Sequence, residues 1–168
     1  MGVVDMNGLK TTIKATLDGA NTTTGSPIDL SNGMATRVQK ILTLNREKIP
    51  IQPSFYPCVT TFFKGKMIDP KTIAKDQLVA KRAATIDMTV VGIVWVDTMS
   101  TNFEYTDLAD NECELLMENV EQVLRSDPTI GGRVTWSHPT AVTYHDFVTQ
   151  EGAHLRAGVM NLQAKAYY

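Results

Sequence analysis

The chain has 168 residues, of which 43% are hydrophobic and 20% charged, and its formal net charge is −2. This length fits one domain or at most two small ones, and the composition is that of an ordinary globular protein. The balance of 16 basic and 18 acidic residues argues against a protein whose whole surface binds nucleic acid, and equally against a polyacidic tail. We therefore expect a single domain over residues 1–168 that folds without disulfide or metal cross-links.

An amphipathic helix is predicted near the start of the chain. Hydrophobic residues recur there at three- and four-residue steps and so share one face, at Met6, Leu9, Ile13, Leu17 and Ala20. Gly19 and Asn21 end this helix. Residues 22–33, which are rich in Thr, Ser, Gly and Asn, are predicted to form a loop.

Two short strands are predicted next, at Arg37–Leu44 and Cys58–Phe63, with a proline-rich connection between them. The prolines of residues 45–57 fix the backbone, remove hydrogen-bond donors and exclude a helix. We therefore expect residues 45–57 to form an extended segment that leads into the second strand.

Residues 64–82 form the most polar long stretch between predicted strands. Their six basic and two acidic residues give a formal charge of +4. The Asp69-Pro70 pair predicts a turn, so the segment is expected to be a long hairpin arm, with a short helix from Pro70 to Leu78 as the alternative. Because no aromatic residue is interleaved with the basic ones, a solvated arm or a protein contact is favoured over nucleic-acid binding.

The clearest strand is predicted over Arg82–Asp97. Its first half alternates hydrophobic residues with Thr85, Asp87 and Thr89, which is the period of a strand with one buried face. From Val91 onward both faces are hydrophobic, so this half is expected to be central and covered on both sides. The apolar run here is far shorter than the about 20 residues that a membrane helix needs.

A second helix is predicted from about Thr106 to Arg125, ended by Asp127-Pro128. Its hydrophobic stripe consists of Leu108, Leu115, Leu116, Val120, Val123 and Leu124. Acidic residues occupy the opposite face, at Asp107, Glu114, Glu118 and Glu121. A strand over Arg133–Phe147 follows, interrupted near His138-Pro139.

The final predicted strand, Leu155–Tyr168, changes the phase of its hydrophobic pattern. Odd positions are apolar up to Val159, and even positions are apolar from Met160 onward. A β-bulge beside Gly158 explains this change, and the alternative is that one half of the strand meets another subunit. The order of elements predicts an α+β fold, in which two helices pack on one face of a mostly antiparallel sheet.

The chain carries no recognisable catalytic or ligand-binding motif. The spacings of His138, His145 and His154 match no metal template, so we expect them on the surface or on edge strands. No local motif marks a nucleophilic triad or a phosphate-binding loop. Cys58 and Cys113 are expected to be buried thiols, with a disulfide within or between chains as the alternative. We therefore expect no enzyme activity, no cofactor and no metal.

Two oppositely charged blocks are the most informative feature of the sequence. Residues 104–121 contain seven acidic residues and no basic one, whereas residues 64–82 are basic. The blocks can neutralise each other within one subunit. Between subunits they would make a head-to-tail contact, which closes into a ring when the rotation allows. The interface candidates are Lys71, Lys75 and Lys81 on the arm, Glu114, Glu118 and Glu121 on the helix, and Tyr167 and Tyr168, which would dock on a neighbour or cover the sheet edge.

Several segments spread over most of the chain are similar to segments of one group of viral structural proteins. They are TTIKATLDGANTTTGSPIDLSNGMATRVQKIL, IPIQPSFYP, IDMTVVGIVWV, ELLMENVEQVLRSDPTIGG with VTW after it, and EGAHLRAGVMNLQAKAYY. In this order they make the chain resemble the neck and tail-completion proteins of tailed bacteriophages, most closely the tail terminators. The resemblance implies a small α+β protein of the virion that forms a ring, usually hexameric, on the head-proximal end of the tail tube.

The same resemblance implies the partners of the chain. They are further copies of itself, the tail tube protein, the head–tail connector protein and, in contractile phages, the tail sheath. DNA would pass through the lumen without specific binding, no membrane would be involved, and assembly would take place in the host cytoplasm. The alternatives are a head-completion or head–tail joining protein on the portal side and, from another class, an enzyme or nucleic-acid-handling protein.

Overall fold

The computed structural model describes residues 4–21, 28–50, 52–69, 83–96, 103–148 and 154–167. Within them, two helices accompany a five-stranded sheet with the order β1-β2-β3-β5-β4. The elements are α1 (Met6–Ala20), β1 (Lys40–Leu42), β2 (Cys58–Asp69), β3 (Ala83–Val96), α2 (Phe103–Ser126), β4 (Trp136–Val148) and β5 (His154–Tyr167). Only β1 and β2 are parallel neighbours. The predicted α+β fold with a mostly antiparallel sheet is confirmed.

Helix α1 forms where the hydrophobic spacing predicts it. Asp5 caps its start, since the carboxylate accepts a hydrogen bond from the Gly8 N–H at 2.9 Å. Its buried face consists of Leu9, Ile13 and Leu17, which pack in the main core. The backbone N–H of Asn21 donates to the carbonyl oxygens of the last turn and ends the helix.

Helix α2 packs across the middle of the sheet and contributes to the same core. Its buried residues are Ala109, Cys113, Leu116, Met117, Asn119, Val120, Val123 and Leu124. The prediction that Leu108 belongs to this stripe is wrong, because its side chain is 55% exposed. At 3.6 residues per turn, Leu108 is rotated about 140° from Cys113, so it points away from the sheet.

The buried Asn119 holds the chain between α1 and β1 against α2. Its side-chain amide donates to the carbonyl oxygens of Leu30 and Asn32 at 3.1 and 2.9 Å. These bonds satisfy a polar group that is only 4% exposed. They also hold Leu30, which is fully buried, in the main core.

The second face of the sheet is covered at one end by the connection between β1 and β2. This connection is not extended as predicted, because residues 46–48 and 53–55 form single 3₁₀ turns and the Tyr56–Pro57 peptide bond is cis. A second hydrophobic cluster lies beneath it, formed by Ile49, Tyr56, Cys58, Val91, Ile93 and Ala157. The second half of β3 is therefore central and buried on both faces, as predicted.

The bounds of two strands differ from the predicted ones. β1 pairs with β2 over Lys40–Leu42 alone, so it is shorter than the predicted Arg37–Leu44. β2 continues past Phe63 to Asp69, where it pairs with Ala83. The first residues of the predicted arm are thus the stem of a hairpin, and residues 70–82, with the turn or the alternative helix, lie outside the described residues.

The predicted β-bulge beside Gly158 is wrong. β5 pairs with β3 in one unbroken register from His154 to Tyr167. The hydrophobic phase changes because Ala157 and Val159 face the second cluster, while Met160 and Leu162 face the helices. The bulges lie elsewhere, at Lys64 in β2 and at Thr140 in β4, the latter next to the predicted interruption at Pro139.

Two glycines let α2 lie directly on the central strands. A Cβ atom at Gly158 would come within 2.3 Å of Met117 Cγ, and one at Gly92 within 2.8 Å of Met117 Sδ. Gly92 and Gly158 are paired in the register of β3 and β5. The helix therefore sits over a site where the sheet has no side chains.

A Gly158→Ala substitution is expected to lower the free energy of unfolding by about 1–3 kcal/mol, because it overpacks the contact with Met117. Gly19→Ala is the matched control, since a Cβ atom there meets nothing within 4 Å. That control should raise stability by about 0.5–1 kcal/mol through helix propensity. Urea unfolding measures both changes, and equal effects of the two variants would contradict the packing argument.

Candidate subunit interface

The acidic interface candidates divide into two groups. Glu114 and Glu118 are exposed on the outer face of α2, and neither forms an ion pair within the part of the chain that the structure describes. Glu121 pairs with Arg125 one turn later, with Arg125 Nη2 and Glu121 Oε1 2.7 Å apart. The two unpaired carboxylates are thus the stronger candidates for a contact with a neighbour.

The other candidates are the two tyrosines and the basic residues of the arm. Tyr167 is the last described residue of β5 and is 44% exposed, with the Lys165 ammonium 5.7 Å from its ring centroid. β5 is an inner strand, so docking on a neighbour fits the position of Tyr167 better than covering the sheet edge. Four candidates lie outside the described residues: Lys71, Lys75, Lys81 and Tyr168.

One end of the sheet, formed by β4 and the part of α2 above it, is acidic. Burial raises the pKa of Tyr144 on β4, and the negative charge of Glu114 and Glu118 raises it further. Both carboxylates of α2 are thus close enough to β4 to act on one of its side chains. Asp146, on the same strand, is highly exposed.

Arg156 forms ion pairs with two elements of this acidic end. Its Nε lies 3.0 Å from Asp110 Oδ1 on α2, and its Nη1 lies 2.8 Å from Asp146 Oδ2 on β4. The guanidinium also lies over the ring of Tyr144, 5.6 Å from the centroid. Because Arg156 balances only one of the two charges on Asp110 and Asp146, this end keeps a net negative charge, to which the unpaired Glu114 and Glu118 contribute.

The opposite end of the sheet, formed by β2 and α1, is basic. The Lys10 ammonium of α1 lies 5.8 Å from the ring centroid of Phe63 on β2. Lys64 and Lys66 follow Phe63 on the same strand. Lys64 reaches across β3 and donates to Asn161 Oδ1 of β5 at 3.1 Å. The charge of the molecule is therefore opposite at its two ends.

Each end of the sheet also presents an edge of backbone. β4 pairs with β5 on one side and with no described strand on the other. β2 pairs with β1 only at Cys58–Thr60, so no described strand lies along the outer side of residues 61–69. Met67 and Ile68, 70% and 52% exposed, lie on opposite faces of this free edge. Exposed hydrophobic edge strands are typical sites of strand addition.

Two clefts of about 350 Å³ lie on the described surface. The first is mainly hydrophobic and lies between the start of α2 and the connection before β2, lined by Tyr56, Trp95 and Leu108 among others. The second lies between the two bulges on the open face of the sheet. Its polar groups bond one another: Gln163 Nε2 donates to Asp87 Oδ1 at 3.2 Å, and Thr140 Oγ1 donates to the Asn161 carbonyl oxygen at 3.2 Å. These bonds join strands and do not form a nucleophile–base pair.

The histidines lie where the sequence predicts them. His138 and His145 are exposed on the edge strand β4, and His154 is exposed at the start of β5. The described residues hold no group of three or more His, Cys, Asp or Glu side chains arranged for a metal ion.

The two cysteines are free thiols, and their predicted burial is confirmed. Cys58 lies in the second cluster and Cys113 in the main core, so they belong to different faces of the sheet. Burial raises the pKa of each thiol to about 12. The thiolate is the reactive form of cysteine. Both thiols are therefore unreactive for two reasons: reagents cannot reach them, and they stay protonated.

A disulfide-exchange reagent such as DTNB is expected to leave both cysteines unmodified in the folded chain at mildly alkaline pH. Chain unfolded in urea, the control, should react at both Cys58 and Cys113. Rapid labelling of the folded chain would contradict the burial of these thiols. The absorbance of the released thiolate measures the reaction.

The sequence alone missed the free edge of β2 and the role of Arg156. The adjacent Met67 and Ile68 within a polar stretch were a usable signal, because a strand buried on one face does not carry neighbouring hydrophobic residues. Arg156 is the one charged residue between Leu155 and Asn161, which marks it as a residue with a buried partner.

No protein-family model and no curated protein matches the chain. Among the described helices, none combines the length and the hydrophobicity needed to cross a membrane.

Proposed function

We propose that the chain is a structural protein of a bacteriophage neck. Copies of it form a ring, hexameric in the family that it resembles, which caps the tail tube, ends tail polymerisation and joins the tail to the head connector. The alternative is a head-completion protein on the portal side. The observation that supports a ring best is the opposite charge of the two ends of one sheet.

Opposite charge at opposite ends favours head-to-tail association over a two-fold dimer. In a two-fold contact the same surface meets itself, so Glu114 and Glu118 would face their own copies and repel each other. In a head-to-tail contact these carboxylates face the end that carries Lys10 and Lys66. Such contacts repeat until the rotation closes them, which is the geometry that a cap on a tube requires.

A ring cap also needs complementary surfaces more than it needs reactive groups. The polar residues of the second cleft are bonded to one another across three strands, as Lys64–Asn161 and Gln163–Asp87 are. The salt bridges of Arg156 likewise join α2, β4 and β5. These groups make the subunit rigid, which suits a part that must hold its shape under assembly.

Reversing the charge at the acidic end should dissociate the ring. A Glu114→Lys, Glu118→Lys double variant is expected to raise the apparent dissociation constant at least about tenfold, because it replaces attraction with repulsion. Adding Lys71→Glu, Lys75→Glu and Lys81→Glu to the same chain should restore part of the affinity if the arm is the partner surface. Native mass spectrometry and gel filtration measure the assembly state.

The matched control makes the same change of charge at the other end. Asp18→Lys with Glu47→Lys adds positive charge near α1 and β1, where the molecule is already basic, and should leave the ring assembled. Dissociation by both double variants alike would mean that net charge, and not its distribution, governs assembly.

The place of the ring in the particle needs a separate measurement. Purified protein is expected to bind the ends of isolated tail tubes, seen by electron microscopy, and to leave DNA-filled heads unbound. Binding to filled heads and not to tubes would select the head-completion alternative. Salt-sensitive binding to DNA by the isolated protein would contradict both.

A further inference from the structure

We infer that neighbouring copies join through their backbones: β4 of one copy adds to the free edge of β2 of the next and makes one continuous sheet. This inference rests on the ring proposed above and specifies its interface. The partner is a second copy of this chain, because the outer sides of β4 and of β2 beyond Thr61 pair with no described strand and lie at opposite ends of one sheet.

The direction of the strands permits this contact. β2 is antiparallel to β3, β3 to β5, and β5 to β4, so β4 runs antiparallel to β2 after three reversals. When copies are placed side by side in the same sense, β4 of one lies antiparallel to β2 of the next. Antiparallel pairing is slightly more stable per residue than parallel pairing.

The backbone groups of β2 alternate in a way that leaves donors and acceptors on its outer side. The Pro57 carbonyl oxygen accepts from the Gln39 N–H at 2.8 Å and so points outward, toward β1. By alternation Phe63 also points outward, and after the bulge Ile68 does so. The bond from the Thr135 N–H to the Lys165 carbonyl oxygen, 2.8 Å, fixes the same alternation from the other side of the sheet.

Beyond its bulge at Lys64, the free edge of β2 carries exposed hydrophobic side chains. Residues 61–69 contain no proline, and the neighbouring pair Met67 and Ile68 exposes hydrophobic surface on both faces of the strand. β4 runs from Trp136 to Val148. Its own Pro139 and the bulge at Thr140 restrict pairing to the part from Ala141 onward.

Charge reinforces the same contact. α1 packs over β1 and β2, and α2 over β3, β5 and β4, on the same face of the sheet. Strand addition therefore brings α2 of one copy beside α1 of the next. Glu114 and Glu118, which lie near Tyr144 of β4, then approach Lys10, which lies over Phe63 of β2.

Hydrogen–deuterium exchange of the assembled wild-type chain tests the pairing directly. The outward amides of Phe63 and Ile68, and those of β4 beyond Thr140, should exchange at least about tenfold more slowly in the ring than in the dissociated Glu114→Lys, Glu118→Lys variant. A ring whose two edges exchange as fast as in the dissociated chain would overturn the inference alone. So would protection of β2 without protection of β4, which would indicate a strand from another protein.

Two variants at Ile68 distinguish a contact made by the backbone from a contact made by the side chain. Ile68→Pro removes an outward N–H and should abolish assembly, whereas Ile68→Ala keeps the N–H and should still assemble. Leu108→Lys, at a residue that is equally exposed but lies on neither edge, should assemble like the wild type. Intact thiol protection in each variant shows that the subunit remains folded. A wild-type chain that stays monomeric at all concentrations would overturn the ring and this inference together.

Discussion

The pairing of β3 with β5 is the constraint on which the rest of the fold depends. The two strands are matched residue by residue over 14 positions, and the second half of β3 is buried on both faces. Where Gly92 meets Gly158 the sheet has no side chains, so α2 lies against its backbone and brings Leu116 and Met117 into the core. α1, β1 and the connection before β2 pack around this centre.

The sequence predicted the elements that have one buried face better than those that have two. α1 and β3 follow simple periods of 3.6 and 2, so their residues and bounds were predictable from Leu9, Ile13 and Leu17 or from the alternation before Val91. β5 misled the same reasoning, because its odd residues are covered by a connection whose turns at residues 46–48 and 53–55 have no periodicity. A hydrophobic residue then indicates burial without indicating which side is buried.

For the candidate interface, the sequence predicted which residues are charged but not how they are paired. Glu114, Glu118 and Glu121 look alike in the sequence, yet Arg125 neutralises the third. The ion pairs of Arg156 join residues 46 and 10 positions apart, which no local pattern reports. The free edge of β2 depends on β1 being only three residues long, a property of tertiary packing around the cluster of Ile49 and Tyr56.

The shortness of β1 has a geometric consequence for any assembly built on the edge of β2. β1 occupies that edge at Cys58–Thr60, so an added strand meets the end of β1 and cannot slide further in that direction. The bulge at Lys64 divides the remaining edge, and the described part of β2 ends at Asp69. Because the length of β2 edge available for pairing is limited, the stagger between successive subunits is limited too. Stagger and strand tilt together set the diameter of a closed sheet. In the ring proposed above, three residues of parallel strand would in this way help to set the diameter of the central opening.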